Sequence, residues 1–193
     1  MAFSPAYLSS LIVEPLRFYF KKYSTVDLRW NEDPALSAIE IDTINNFNKI
    51  AIQSKPRVLI SRGGYTVNPV GLSDNLSEGS STRDIGSNIE RKMVLISGQA
   101  QLLIEAVNEG TCEKIVEQVQ NFLTATAPLI ANTQGFKQFV LPMSVSPCTP
   151  NREATETFQC SIALPWSKEQ HYVIERDGVE FKNFLISINN PTA

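Results

Sequence analysis

The chain has 193 residues, of which 42% are hydrophobic and 19% charged, and carries a net charge of -3. That length suits one α+β domain spanning 1–193 with room for an arm. The acidic balance argues against a protein whose main work is gripping phosphate, since the only basic clusters are Lys21-Lys22 and Arg91-Lys92.

The first element reads as a helix. Ser4-Pro5 offers a hydroxyl cap followed by proline at the first helical position. Leu8, Leu11, Ile12, Leu16, Tyr19 and Tyr23 recur at helical spacing, and Lys21 and Lys22 suit the C-terminal end of the dipole. Pro15 predicts a kink or two short helices. Strand-like runs follow at 37–44, with Ile39 and Ile41 on one face, and at 57–61, with Val58 and Ile60 on one face. Arg62-Gly63-Gly64 reads as a turn. It lacks the Lys-Ser/Thr and the following helix that a phosphate-binding loop requires.

Residues 68–90 are rich in Gly, Ser, Asn and Asp and have no sustained period. Unstructured stretches beyond about 12–15 residues are uncommon in compact domains and are often functional. We read this one as an extended loop or arm for partner contact. Leu72, Leu76 and Ile85 are its apolar anchors, and Asp74, Glu78, Arg83, Asp84, Arg91 and Lys92 its mixed charges.

Residues 93–107 predict a long strand or strand pair. Ala100, Leu102, Ile104 and Ala106 face one way, and the strand is a candidate edge for a neighbouring chain. A helix is predicted over 111–126, capped by Thr111, with Ile115, Val116, Val119, Phe122 and Leu123 as its apolar stripe. Pro128 ends or re-aims it, and Gly135 marks the way out. Strands are then expected at 139–145, where Pro142 implies an edge or bulge, and at 157–166, with Phe158, Cys160, Ile162 and Leu164 inward. Trp166 at the end of that strand is read as a cap on the core. A C-terminal hairpin over 172–188 is signalled by Asp177-Gly178. The sum is a twisted, mostly antiparallel sheet packed on one face by two helices.

The chain offers little chemistry. His171 is the only histidine, so any histidine-based triad would depend on it. Cys112, Cys148 and Cys160 lack metal-ligand or paired spacing and are expected to be reduced thiols, which fits a soluble protein made in a reducing cytoplasm. The carboxylate pairs Glu153/Glu156 and Asp74/Glu78 lie in polar loops with nothing to shift a pKa. No catalytic residue, metal or cofactor is expected, and no run is apolar enough to span a membrane.

The element order, with the stretches Arg57-Val-Leu-Ile-Ser-Arg-Gly63, Gly98-Gln-Ala-Gln-Leu-Leu-Ile-Glu-Ala-Val-Asn-Glu-Gly110 and Ala154-Thr-Glu-Thr-Phe-Gln-Cys-Ser-Ile-Ala-Leu-Pro-Trp166, resembles the tail-terminator and head–tail connector (neck) proteins of tailed bacteriophages over residues 35–166. The loop at 68–90 and the hairpin at 172–188 are additions to that pattern. The resemblance implies a virion protein, a homo-oligomeric and typically hexameric ring. That ring would stack on the tail tube protein and face the head-completion proteins, with DNA passing through its lumen. The alternative from another class is a monomeric adaptor that uses the long loop as its contact. An enzyme with an unrecognised site ranks last.

Overall fold

The computed structural model of the protein describes residues 5–44, 55–69, 81–83, 89–151, 157–176 and 184–189. Helix α1 (Pro5–Lys22) opens it. Pro15 neither splits nor ends this helix. Leu8, Ile12, Val13, Leu16 and Phe20 are all buried on either side of it. Burial of each is worth about 1.5–3 kcal/mol, against about 3 kcal/mol for an internal proline. Tyr23, expected on the buried face, lies just past the helix end and is exposed.

Nine strands make one sheet among the described residues, two of them only two residues long. In chain order they are β1 (Glu40–Thr43), β2 (Arg57–Pro69), β3 (Ser81–Arg83), β4 (Ile89–Ala106), β5 (Phe136–Phe139), β6 (Ser144–Val145), β7 (Thr149–Pro150), β8 (Phe158–Arg176) and β9 (Phe184–Asn189). Helix α2 (Glu109–Gln134) lies between β4 and β5. The main path runs β1-β2-β4-β8-β5, with β3 on β4 and with β6, β7 and β9 on β8. Only β1 and β2 pair in parallel. The chain is thus an α+β protein with a mostly antiparallel sheet packed by helices.

Register explains the core. Val58, Ile104 and Cys160 lie side by side across β2, β4 and β8, as do Ile60, Leu102 and Ile162, and all six are buried. They face α1 and the α2 stripe Cys112, Ile115, Val116, Val119, Leu123 and Ala127. Phe122 is half-buried, its ring 4.9 Å from that of Tyr19, so it joins the two helices. The other sheet face carries a buried ion pair between Arg57 and Glu105.

Helix α2 outruns its prediction at both ends. Asn108 is its N-cap, its side-chain oxygen accepting from the Thr111 N–H at 2.8 Å. The helix continues through Pro128 because the turn that loses a bond there faces water, Thr124 and Pro128 both being exposed. It stops at Gly135, which adopts the left-handed conformation (φ 66).

The three long strands also exceed expectation. Arg62-Gly63-Gly64 is not a turn: β2 passes straight through it with a register shift against β4, a β-bulge. Gly63 is required there because a Cβ would collide with the Gln99 carbonyl oxygen. The expected 139–145 strand is instead two short ones. Val140 between them has φ 67, which is strained for a β-branched residue, and Leu141 donates its N–H to Phe139 O across it. Strand β4 is no edge, since β2 and β3 flank it on one side and β8 on the other. Trp166 is not at a strand end but near the middle of β8, where it is buried.

Candidate interaction surfaces

Strands β2, β4 and β8 run on past the end of α2 as an arm in which β2 is exposed, while Ile96 of β4 and Lys168 and Gln170 of β8 stay buried. The ladder between β4 and β8 is unbroken from Ala106↔Phe158 to Ile89↔Glu175. The helix cover ends earlier, at Lys168. Its ammonium donates to the Gln134 carbonyl oxygen at 2.5 Å and sits 5.1 Å above the Phe136 ring. A cation there stabilises the negative end of the α2 dipole, and burial pulls this ammonium below its usual lysine range. From Glu169 to the end of β8 is about 25 Å of strand at the usual rise per residue.

At the root of the arm Gly98 lies opposite Trp166 and Tyr65. A Cβ on Gly98 would stand 2.8 Å from Trp166 Cζ2 and 2.9 Å from Tyr65 Cβ. The missing side chain lets the two rings close to 6.5 Å between centroids. Trp166 thereby plugs the end of the core, and the arm starts beyond it.

The arm's two outer edges differ from those of the base. At the base, the edge strand β1 is shut by a side chain of α1 together with one of its own. Arg17 Nε donates to the Ile41 carbonyl at 2.9 Å and its guanidinium pairs with Asp42 at 3.2 Å. The Asp42 carboxylate in turn accepts from the Thr43 N–H at 2.6 Å. Strand β1 covers β2 only over residues 57–60, and among the described residues no strand lies on the outer edge of β2 beyond them. Residues 62–68 are all exposed, with Tyr65 48% and Val67 51% accessible. An open strand edge bearing half-exposed apolar side chains is a template for pairing.

A second apolar patch surrounds the end of α1. Phe18, Tyr23 and Val26 are exposed, and the Lys22 ammonium lies 5.6 Å from the Phe18 ring and 5.4 Å from the Tyr23 ring. An open groove of about 490 Å³ runs between α1, the segment before β1, and β1 itself, with Trp30 in its wall. Its charges largely satisfy one another: Arg17 holds Asp42 and Glu14, Lys21 holds Glu32, and Lys55 donates to Pro34 O. Glu40, also in the wall, is pushed above the usual carboxylate range by burial, against the pull of Arg57.

Of the contact residues expected from the sequence, three lie among the described residues, toward the far end of the arm. Arg83 lies in β3 opposite Glu90, and Arg91 and Lys92 lie in β4 opposite Thr82 and Ser81. Leu72, Asp74, Leu76, Glu78, Asp84 and Ile85 lie outside the described residues. The 68–90 segment is therefore partly strand: Asn68 and Pro69 belong to β2, and Ile89 and Glu90 to β4. In the C-terminal hairpin β8 and β9 pair with Arg176 opposite Phe184, whereas a tight turn at Asp177-Gly178 would place Val179 there. His171 sits within β8, between Met93 and Asn189.

Sequence reasoning treated the cysteines singly, being 36 and 12 positions apart along the chain. The fold brings them together. Cys148 Sγ lies 3.1 Å from Cys112 Sγ, and the Cys160 thiol donates to the Ser146 carbonyl at 3.0 Å. Burial raises the Cys112 thiol far above its ordinary range, helped by its contact with Cys148, and raises Cys160 as well. Among the described residues no group of three or more His, Cys, Asp or Glu side chains, these thiols included, is disposed to hold a metal ion. No protein-family model matches the chain, and no curated protein sequence does.

Proposed function

We propose that this protein is a non-enzymatic structural subunit that works by assembling with copies of itself, as a ring at the neck or tail end of a tailed bacteriophage particle. The observation that carries the reading is the open outer edge of β2 in the arm, bearing the exposed Tyr65 and Val67. A ring needs a heterologous interface, in which one surface meets a different surface on the next copy. The open β2 edge supplies one such surface. The outer edge of β9, on the far side of β8, supplies a different one among the described residues. Joining the two continues the sheet from subunit to subunit. In the proposed particle the ring is hexameric and caps the tail tube protein. It faces the head-completion proteins, and the net charge of -3 on each subunit leaves passing DNA ungripped.

The groove beside Trp30 favours a second reading, a monomeric adaptor that receives a partner segment at α1 and β1. Sedimentation velocity and negative-stain electron microscopy separate the two. The ring reading expects discrete closed oligomers, either alone or on purified tail tubes, and their loss in Val67→Lys. A strict monomer that ignores tail tubes overturns it in favour of the adaptor.

A further inference from the structure

We propose that Cys112 and Cys148 form a reversible disulfide latch that ties the segment between β6 and β7 to the first turn of α2 when the protein meets an oxidising thiol–disulfide environment. The two sulfurs stand 3.1 Å apart, and closing the bond requires an approach of about 1 Å. The two residues come from separate elements, so the bond would bridge them. Cys112 is buried in the opening turn of α2, while Cys148 is only partly buried, between β6 and β7. Those two short strands hold the flank of β8 in the base, at Ala163–Ile162 and at Gln159–Phe158. A bond at Cys148 therefore fastens the edge of the sheet to the helix layer.

The chemistry balances with a low-molecular-weight disulfide such as glutathione disulfide as oxidant. Cys148, the less buried of the pair, gives up its proton and attacks one sulfur of the oxidant, whose S–S bond breaks, and one glutathione leaves as thiolate. Cys112 then gives up its proton and attacks the Cys148 sulfur of the mixed disulfide, expelling the second glutathione. Two protein thiols are oxidised, one small disulfide is reduced, and the two protons pass to the two released thiolates. Cys160 also contacts Cys148, but its thiol donates to the Ser146 carbonyl, so the bond is assigned to the Cys112–Cys148 pair at 3.1 Å. Burial holds Cys112 protonated at neutral pH, so the second step is slow there and quickens as pH rises.

The test uses the full chain, incubated with glutathione disulfide and then digested without reductant. The expected result is a peptide containing Cys112 joined to one containing Cys148. One thiol of three stays free, and the melting temperature rises by about 5–10 °C, reversed by dithiothreitol. Cys160→Ser should behave the same, and Cys148→Ser should show neither the link nor the shift. Three free thiols after oxidation, a Cys148–Cys160 link or a bond between two chains would each overturn the proposal. If Cys160→Ser does not fold, the wild-type peptide map decides alone.

Discussion

The same three strands behave in two ways along their length. In the base, β2, β4 and β8 present Val58, Ile60, Leu102, Ile104, Ile162 and Leu164 to the helices, and every one is buried. In the arm, past Gly98 and Trp166, β2 is exposed on both faces, with Thr66 and Val67 alike facing solvent. Pairing of β4 with β8 continues without interruption and that of β2 resumes after its bulge, while side-chain packing falls away from β2. Hydrogen bonds alone give little net stability, about 1 kcal/mol each, because water competes for them. The base therefore has to hold the fold.

That contrast can be broken most severely at its apolar centre. Leu102→Asp places an unpaired charge among fully buried residues and should abolish folding, read as loss of the cooperative thermal transition by circular dichroism. Gly98→Val tests the boundary between the regions. The new side chain would meet Trp166, Tyr65 and the Gly64 carbonyl. A loss of about 1–3 kcal/mol is expected in urea unfolding, and an unchanged midpoint would show that the two rings do not depend on the missing Cβ. Asn108→Ala removes the cap of α2 and should cost about 1 kcal/mol by the same measurement. Val67→Lys, in the arm, should change stability by less than about 0.5 kcal/mol while removing self-association in sedimentation. A large stability loss there would mean that the arm is packed after all.

Much of the base was legible in the sequence. The i, i+4, i+7 stripe of α2 and the alternation of Cys160, Ile162 and Leu164 both report one-sided burial, and periodicity detects that. The β2 side of the arm was not legible, because a strand solvated on both faces has no alternation to find, whereas the β4 residues 93–97 and the β8 residues 172–175 were read as strand. Gly63 and Gly64 then read as a turn. In fact β2 absorbs its glycines as a bulge, and Gly98 makes room for Trp166. Likewise Pro15 and Pro128 read as breaks, yet burial around one and water beside the other carry the helices through. The convergence of Cys112 and Cys148 depends on how α2 lies against β8, and no local spacing encodes that.

The closed flank of β1 has one more effect. Ile44 donates its N–H to Ile60 O at 3.0 Å, the last bond of that parallel pair. Any foreign strand laid along β2 must stop where β1 begins. It can occupy only the stretch from Ser61 outward, and cannot slide toward the base. The short strand thus acts as a doorstop, setting the alignment of an incoming chain before any side chain is read.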